Sequence, residues 1–469
     1  MEIPRVLVAG LSGGSGKTLL TVGLQAAWRG QGWIVAPFKK GPDYIDSAWC
    51  ASAADRPCRN LDLFLHDPVT LRRSFIGSAR TADFAVIEGN RGLHDGADPQ
   101  GSFSSAELAK LLDTPVILVV DCTKATRTVA AMVLGCQQLD PEVPVRGVIL
   151  NRVGGRRHET VIREAIGEAT GLPVLGALPR LDHNILPERH LGLLPPAEHA
   201  RRRAVVQEAA EVASRYLDLE AIEAIARQAP PMDVPPLETP VSGVQGPAED
   251  PLRVGVFRDA AFQFYYPENL EALEAEGAEV VEVSPLTDRE LPDVDALYIG
   301  GGFPEALASA LTENQPFRHS MKQAAEAGLP VYAECGGAVY LGEELDFEGR
   351  RYTMAGVLPV AFDFQERPRG HGYTVVETVA ENPFYEVGET FRGHEFHHTY
   401  VRSASEEDLT WAFRVRRGYG FDGERDGLCR HQVLASYTHV HALSVSSWAP
   451  GLVNAARRFR IHAAPAAAG

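Results

Sequence analysis

A glycine-rich segment between an apolar run and a helix-like run constrains the fold of this chain more than any other feature. Residues 10–18 read Gly-Leu-Ser-Gly-Gly-Ser-Gly-Lys-Thr; the apolar run 5–9 precedes them and the helix-compatible run 18–28 follows. Glycines let backbone amides curl around a polyphosphate because they place no Cβ in the way. This order predicts a strand, a phosphate-binding loop and a helix, which are the first parts of an α/β domain.

The residues of the loop have separate predicted roles. Lys17 is placed to reach the β- and γ-phosphate oxygens of ATP, and the Thr18 hydroxyl to bind Mg²⁺. Three glycines would cradle the phosphates with their amides: Gly13, Gly14 and Gly16. Leu11 occupies the position of the first glycine of the strict motif, so the form GGSGKT is the closer match. A flexible turn before a helix is the alternative interpretation, and the Lys-Thr pair in register favours nucleotide binding.

Length and composition exclude several classes of protein. A chain of 469 residues is too long for one core and suits two domains. Its hydrophobic fraction of 45% and charged fraction of 23% are typical of a soluble globular protein. A net charge of −17 argues against a nucleic-acid-binding surface, so any anion site must be locally basic.

The sequence gives no reason to expect contact with a membrane. The longest apolar run, 115–120, is far too short to cross a bilayer, and the first residues lead into a core strand rather than a signal peptide. The six cysteines form no CxxC pair and no regular framework. We therefore expect a reducing, cytoplasmic compartment.

Strand-like and helix-like segments alternate through both halves of the chain. The predicted strands are 4–9, 33–38, 83–88, 115–121, 145–151 and 173–178 in the first half, and 252–257, 279–283, 294–299, 330–334 and 433–438 in the second. The predicted helices of the first half are 16–29, 104–112, 126–139, 158–169 and 198–215. Such alternation predicts mostly parallel sheets covered on both faces, with ligands at the carboxyl ends of the strands.

A proline-rich segment separates the two halves. Residues 230–251 contain seven prolines and show neither helical nor strand periodicity, which is typical of an extended linker. We predict a phosphate-loop domain over 1–229 and a second α/β domain over 252–469. The Ala/Pro/Gly tail of the second domain is predicted to be disordered.

Charged residues follow the predicted strands next to the loop. Lys39 lies just past the second strand and could neutralise charge on a transferring phosphoryl group, although a solvated lysine pair is the alternative. Glu88 ends an apolar strand, where a carboxylate is costly without a cation. A magnesium ion would explain Glu88, and Asp43 or Asp46 would supply a further carboxylate. Weaker candidates for nucleotide contacts end later strands: Asp121, Asn151 and Arg152.

Four motifs of the first half together resemble one family. The segments GLSGGSGKT, FKKGPDYID, RPCRNLD and IEGNRGLHDG are similar, in this order, to those of the cobyrinic acid a,c-diamide synthase family. The resemblance implies that Asp43, Tyr44 and Ile45 lie against the acetate that is activated. It also implies an ATP-binding amidoligase. Of the two aspartates we assign Asp46, with Thr18 and Glu88, as the magnesium ligand. Lys40 and the pair Asn90-Arg91 depart from the family pattern, where substrate should bind.

The second half contains a cysteine on a predicted strand-to-helix turn. Cys335 lies in PVYAECGGAVYLG, where the turn and the N-terminus of the following helix would present and activate the thiol. The amide of Gly336 can point at an oxyanion. The strand that runs into GGG (300–302) would bring a second amide, which we assign to Gly302.

These features resemble the class I glutamine amidotransferases, and the corrinoid-amidating branch in particular. His439 and His441 lie in the predicted strand end SYTHVH, and similarity to TYLHG-type sequences favours His439 as the base. The wider class carries a glutamate where this chain has His441. Another group could orient His439, or Cys335 and His439 could act as a dyad. For the histidines of GHEFHH (393–398) we favour packing and hydrogen bonding over a metal site.

Together the two predicted sites indicate an ATP- and glutamine-dependent amidoligase. The resemblance implies amidation of the a and c acetates of cobyrinate or hydrogenobyrinate through an acyl phosphate, with L-glutamine as nitrogen donor and ATP and Mg²⁺ as cofactors. Cobyric acid synthase has the same domain order but a different histidine motif. An amidase of sirohaem or nickel-sirohydrochlorin is a second possibility, and a partition-type switch ATPase with an inactive second domain is a third. A homodimer is the expected assembly if the protein is not monomeric.

Overall fold

A computed structural model describes residues 1–189, 192–233 and 250–463. The chain divides into two compact units, Met1–Glu238 and Thr239–Gly469. This division falls inside the segment predicted as a linker, while the predicted domain limits themselves stay predictions. Most of that linker and the tail 464–469, predicted to be disordered, lie outside the described residues.

The first unit is an α/β structure. Its strands are β1 (Arg5–Gly10), β2 (Val35–Lys40), β3 (Arg59–Leu61), β4 (Phe84–Gly92), β5 (Val116–Asp121), β6 (Val145–Val153), β7 (Val174–Pro179), β8 (Glu188–Arg189) and β9 (Gly192–Leu193). Its helices are α1 (Lys17–Gly30), α2 (Ile45–Ala54), α3 (Pro68–Ala79), α4 (Ser105–Leu111), α5 (Arg127–Leu139), α6 (Arg156–Thr170), α7 (Arg202–Tyr216) and α8 (Leu219–Arg227).

Seven of these strands form one parallel sheet in the order β3-β2-β4-β1-β5-β6-β7. Successive side chains of a strand point to opposite faces. Accordingly, Val6 and Val8 of β1 belong to the core on one face, and Leu7 and Ala9 to the core on the other. Burial on both faces explains why these strands are continuous apolar runs in the sequence. The predicted parallel α/β fold of this half is confirmed.

Three helices and three strands of this unit were not predicted: α2, α3, α8, β3, β8 and β9. The start of α3 has a readable signal, because the Asp67 carboxylate accepts hydrogen bonds from the amides of Val69 and Thr70 and Pro68 occupies the first helical position. Asp218 caps α8 in the same way, by accepting from the amide of Ala221. Both helix starts could therefore have been found from the sequence.

The second unit has more strands than were predicted. Its strands are β10 (Leu252–Phe257), β11 (Phe262–Phe264), β12 (Ala278–Val283), β13 (Ala296–Ile299), β14 (Gly301–Gly302), β15 (Val331–Glu334), β16 (Glu344–Phe347), β17 (Arg350–Thr353), β18 (Val360–Phe364), β19 (Gly370–Thr378), β20 (Thr390–His397), β21 (Thr399–Ala404), β22 (Thr410–Arg417), β23 (Arg425–Arg430) and β24 (Val433–Ser436). Its helices are α9 (Pro267–Ala275), α10 (Ala308–Glu313), α11 (Gln315–Glu326), α12 (Gly336–Leu341) and α13 (Trp448–Ala463).

The main sheet of the second unit has nine strands in the order β12-β10-β13-β15-β24-β23-β22-β19-β20. The first five are parallel and correspond to the predicted strands. The remaining four pair antiparallel and extend the sheet beyond β24. A second sheet of four strands, β17-β16-β18-β21, was also not predicted. None of the helices in the described parts of the chain is long and apolar enough to span a membrane.

Candidate active sites

The predicted phosphate-binding loop lies between the carboxyl end of β1 and the first residue of α1. Gly14 and Gly16 have φ angles of 70° and 93°, in the left-handed region that favours glycine. A Cβ on Gly16 would come within 2.3 Å of Asn151 Nδ2. The Lys17 ammonium donates to the carbonyl of Ser12 at 3.1 Å and so lies over the loop. The loop therefore has the backbone conformation and the cation that a polyphosphate requires.

A buried cluster of charges lies next to the loop, where Lys39 of β2 pairs with Glu88 of β4. The Lys39 Nζ is 2.7 Å from Asp46 Oδ2 and 3.2 Å from Glu88 Oε1, and Lys39 and Glu88 are almost fully buried. The Thr18 hydroxyl donates to Glu88 Oε1 at 2.7 Å. The structure thus brings together four side chains that the sequence placed in this site: Thr18, Lys39, Asp46 and Glu88.

Burial and charge act in opposite directions on this cluster. Burial lowers the pKa of Lys39, but Asp46 and Glu88 raise it to well above its usual value. Burial raises the pKa of Glu88 to about 7, although Lys39 lowers it. A buried carboxylate is costly unless a cation and hydrogen bonds compensate for lost hydration. The cluster therefore keeps Lys39 charged. A further cation near Glu88 would stabilise the ionised form of its carboxylate.

The segment predicted to face the substrate starts α2. The Asp43 Oδ1 accepts from the amide of Asp46 at 2.8 Å, and Tyr44 directly precedes the helix that begins at Ile45. The Asn60 side chain donates to the carbonyls of Gly41 and Asp43 and so fixes the approach to the helix. Burial, followed by the charge of Asp46, raises the pKa of Asp43 to about 6. The roles predicted for Asp43, Tyr44 and Ile45 stay predictions.

A cavity of about 960 Å³ opens next to the loop. Its lining includes the loop, Asp46, and the three weaker nucleotide candidates Asp121, Asn151 and Arg152. The Asn151 side chain donates to the carbonyl of Ser15 at 2.8 Å, which ties the end of β6 to the loop. The segment 180–186 also lines this cavity and was missed from the sequence. The signal that could have found it is its place directly after β7, at the same edge of the sheet.

In the second unit, Cys335 occupies the predicted sharp turn between β15 and α12. Its φ and ψ angles are 48° and −105°, an unusual backbone conformation for a residue other than glycine. Its Sγ lies 3.7 Å from the carbonyl oxygen of Phe396. A Cβ on Gly336 would come within 3.1 Å of the amide nitrogen of Gly302. The two glycines predicted to bind an oxyanion therefore lie next to each other and beside the thiol.

His439 lies next to both Cys335 and the preceding residue, Glu334. Its Nδ1 is 3.2 Å from Glu334 Oε2. Burial lowers the pKa of His439, but hydrogen bonds with Cys335 and Glu334 and their charges raise it to about 10. A Cβ on Gly301 would come within 2.6 Å of the ring, so a side chain there would displace the histidine. The structure thus brings Cys335 and His439 together, as the sequence predicted.

The histidines of GHEFHH make separate contacts. The ring of His394 stacks on that of His439 at 4.9 Å, and each backbone amide donates to the other residue's carbonyl. The ring of His397 stacks on Tyr437 at 3.6 Å, whereas His398 stacks on Phe364. This segment therefore supports the region around Cys335 through several different packing contacts.

Two family models and several named relatives match this chain. A CobQ/CobB/MinD/ParA nucleotide binding domain matches residues 6–193, and a CobB/CobQ-like glutamine amidotransferase domain matches residues 253–446. The cobyrinate a,c-diamide synthase of Magnetococcus marinus is 42% identical over 96% of this chain and 97% of its own length. That of Archaeoglobus fulgidus is 41% identical over 98% of each chain. That of Methanothermobacter thermautotrophicus is 40% identical over 97% and 100%.

The chain belongs to the cobyrinate a,c-diamide synthase family. This confirms the resemblance that the four motifs of the first half and the cysteine motif of the second half indicated. A solved structure of PurLQS from Thermotoga maritima also aligns with 45% of this chain and all of that chain, at 18% identity and a TM-score of 0.34.

In the site of the second unit, sequence reasoning missed Glu334. The sequence showed ECGG, and the glutamate before the cysteine could be taken as a strand residue. The readable signal was a carboxylate at the end of an apolar strand, the same signal that identified Glu88 in the first unit of this synthase-family chain. Glu334 is completely buried, so it needs hydrogen-bonding partners in the same way.

A second buried carboxylate, Asp426, fixes the segment that leads to His439. It accepts hydrogen bonds from the hydroxyls of Ser436 and Thr438 and from the amides of Tyr437, Thr438 and Gly427.

We expect Asp426→Ala to lower the free energy of unfolding by about 3 kcal/mol, because several buried donors lose their acceptor. Urea denaturation monitored by circular dichroism measures this. Asp422→Ala, which removes a more exposed carboxylate from a nearby turn, is the control, and equal stability of the two variants would contradict the prediction.

Proposed function

We propose that this protein amidates the a and c acetate carboxylates of cobyrinate or hydrogenobyrinate, with ATP and L-glutamine, as a glutamine-hydrolysing carbon–nitrogen ligase of cobalamin biosynthesis. The observation that carries the proposal is the presence of two chemical centres in one chain. One is the loop with the Lys39 cluster, and the other is the Cys335–His439 pair. A carboxylate does not form an amide at neutral pH unless it is first activated. One centre would activate the carboxylate with ATP, and the other would supply the ammonia.

The first centre activates the acceptor. A carboxylate oxygen of the substrate attacks the γ-phosphorus of ATP, the bond from that phosphorus to the bridging oxygen breaks, and ADP leaves. The product is an acyl phosphate. Lys17 at the loop and Lys39 at the end of β2 hold positive charge where the phosphoryl oxygens gain negative charge. Ammonia then attacks the acyl carbon, and phosphate leaves to give the amide.

The oxygen donors of the first centre fit Mg²⁺. The Thr18 hydroxyl and the Glu88 carboxylate are 2.7 Å apart, and Asp46 is a second carboxylate on the same cluster. Mg²⁺ needs only one or two carboxylates because it keeps water and takes phosphate oxygens as further ligands. When bound, it supplies positive charge to the phosphate oxygens. The complete burial of Glu88 supports this assignment, because a nearby cation would compensate for the lost hydration of its carboxylate.

The second centre releases ammonia from glutamine. The Cys335 thiolate attacks the amide carbon, and the amides of Gly336 and Gly302 are placed to bind the oxyanion that forms. His439 gives its proton to the leaving nitrogen, so ammonia departs and a thioester remains. Water then attacks the thioester, His439 accepts its proton, and glutamate leaves as the thiol is restored.

Two observations support a corrinoid as the tetrapyrrole substrate: the relatives are cobyrinate a,c-diamide synthases, and positive charge is concentrated near the activating centre. The protein has a net charge of −17, yet Lys40, Arg59 and Arg91 lie on β2, β3 and β4, the strands next to the activating centre. Lys40 is almost fully buried, and burial lowers its pKa although Asp62 raises it. These residues favour an acceptor with several carboxylates. A cytoplasmic location and a homodimeric assembly are further parts of the proposal.

Substitution of Tyr44 tests the contact with the acceptor. We expect Tyr44→Ala to raise the KM for the corrinoid about tenfold or to change the ratio of monoamide to diamide, while the KM for ATP stays within about twofold, because Tyr44 precedes α2 whereas the loop binds ATP. Mass spectrometry of the products measures both effects. Tyr216→Ala, on α7, is the control aromatic substitution. An unchanged product ratio and corrinoid KM would remove Tyr44 from the acceptor site.

The same assay decides which acceptor is used. Incubation with cobyrinate, hydrogenobyrinate, sirohaem and nickel-sirohydrochlorin side by side, followed by mass spectrometry, should give two amide additions on a corrinoid. Two residues that depart from the family pattern, Lys40 and Asn90, lie beside Gly41, and they make this comparison of acceptors necessary. A Cβ on Gly41 would meet Asn90 Nδ2 at 3.1 Å. Amidation of sirohaem or nickel-sirohydrochlorin with corrinoids unchanged would contradict the proposed substrate and favour an amidase of those tetrapyrroles.

A further inference from the structure

The position at which the wider amidotransferase class carries its histidine-orienting glutamate holds His441 in this chain. His441 is fully buried, and its Nε2 lies 3.6 Å from Glu268 Oε2. Its ring packs against that of Tyr266, with centroids 4.4 Å apart. His441 is therefore engaged with a glutamate on α9. A different group must orient His439 if the site works as a triad.

Glu334 is the carboxylate that contacts His439. Glu334 ends β15, directly before Cys335, and its Oε2 lies 3.2 Å from His439 Nδ1. Both side chains are at most a few per cent exposed. The contact uses Nδ1, so the other ring nitrogen, Nε2, is left to exchange a proton with Cys335. This is the division of roles that an orienting carboxylate produces in a nucleophile–histidine–acid triad.

Two further hydrogen bonds hold Glu334 in this orientation. The Tyr298 hydroxyl donates to Oε2 at 3.2 Å, and the amide of Val440 donates to Oε1 at 3.1 Å. Asn269 in turn contacts the Tyr298 hydroxyl and donates to the carbonyl of Val440. Each carboxylate oxygen thus accepts at least one hydrogen bond, which compensates for the burial of the charge. The arrangement fixes the carboxylate against both χ rotation and displacement.

We propose that Glu334 is the positioning residue that completes a Cys335–His439–Glu334 triad, in place of the glutamate that the wider class carries two residues after the histidine. The inference rests on the glutamine hydrolysis that forms half of the proposed function. Glu334 accepts the Nδ1 proton of His439 in a hydrogen bond and does not itself take up a proton. Its negative charge stabilises the imidazolium that forms when the Cys335 proton moves to Nε2.

The groups that face His439 come from three elements. Glu334 and Cys335 lie at the junction of β15 and α12, His394 stacks on it from β20, and Tyr298 on β13 reaches it through Glu334. Burial, then the charges of His439 and His371, lower the pKa of His394 to well below its usual value. His394 is therefore neutral at neutral pH, which leaves Glu334 and Cys335 as the negative partners of the imidazolium.

The test is Glu334→Gln, which keeps the size of the side chain and removes its charge. We expect kcat for glutamate release from glutamine to fall about 100-fold, with the KM for glutamine changed less than about threefold. Alkylation of Cys335 by iodoacetamide, followed by mass spectrometry of its peptide, should slow about tenfold at pH 7 and regain speed as the pH rises, because the thiolate loses the imidazolium that stabilises it. A purely structural role would not move this pH profile.

Glu268→Gln is the matched control, because it makes the same change in the neighbouring glutamate–histidine pair. We expect its kcat and its alkylation profile to stay within about threefold of the parent values. If Glu268→Gln reproduces the loss and Glu334→Gln does not, the Glu268–His441 pair orients the site and the proposal is overturned. A Glu334→Gln protein with parental kcat and parental pH profile overturns it as well.

A folding defect in Glu334→Gln would shift the test to Tyr298→Phe, which removes the hydroxyl that donates to Glu334 and keeps the packed ring. We expect a threefold to tenfold fall in kcat, about the loss of one hydrogen bond, together with the same direction of change in the alkylation profile. Parental behaviour of Tyr298→Phe overturns the proposal. Neither assay contains a tetrapyrrole, so both test the role of Glu334 independently of the substrate. Failure to amidate corrinoids would contradict the proposed substrate but not the role of Glu334.

Discussion

A Cys335→Ala enzyme should lose glutamine-dependent amidation and retain amidation with ammonium chloride as nitrogen source. The thiol forms the covalent bond to the glutamyl group, so its removal should reduce glutamine-dependent kcat by about 10⁴-fold or more. The acyl phosphate forms at the separate centre of the first unit and can still react with ammonia from solution. Product formation with each nitrogen source, measured by mass spectrometry at equal ATP, tests both halves of this expectation.

Cys429→Ala is the control for this experiment. Cys429 is another buried thiol of the second unit, on β23, and burial raises its pKa to about 11. We expect parental activity with both nitrogen sources. Loss of ammonium-dependent amidation in a folded Cys335→Ala protein would contradict the division of labour between two centres. Retention of glutamine-dependent activity would exclude Cys335 as the nucleophile.

Lys17→Ala and Glu88→Ala should reduce product formation about 10²- to 10³-fold with either nitrogen source, because both side chains act before nitrogen attack. Lys17 lies over the phosphate-binding loop, and Glu88 accepts a hydrogen bond from the Thr18 hydroxyl. The measurement is the rate of ADP release together with amide formation under saturating ammonium. Glu88→Ala should also raise the Mg²⁺ concentration needed for half-maximal rate.

Lys110→Met provides the control for the lysine substitution. Lys110 of α4 forms ion pairs with Glu107 of the same helix and with Asp140 at the end of α5. Both pairs are in contact with solvent, and pairs of this kind contribute little to stability. We expect its activity to match that of the parent protein. A Glu88→Ala enzyme with unchanged rate and unchanged Mg²⁺ dependence would remove Glu88 from the site. A Lys17→Ala enzyme with parental activity would place phosphate binding elsewhere.

The parts of the fold that could be predicted from sequence are those with a strong local signal. The strands of the parallel sheets are buried on both faces, so they occur as short apolar runs that need no knowledge of their neighbours. The strands β16 to β23 are mostly half-exposed and pair with distant segments; β19, for example, pairs with β20 and β22. Their alternating burial gives a weaker pattern, and the prediction for this region was incomplete for that reason.

For the sites, the sequence by itself determined which chemistry the chain can perform. A glycine loop followed by Lys17 and Thr18, and Cys335 on a strand-to-helix turn, are local features because backbone geometry within a few residues creates them. The tertiary structure alone decided which charges meet. Lys39 and Glu88 are brought together by the pairing of β2 with β4, and His439 meets Glu334 because β24 pairs with β15. The partners in such contacts are tens to about a hundred residues apart in the sequence, so the order of the strands in the sheet decides which of them meet. The burial that strengthens these contacts exists only in the folded chain.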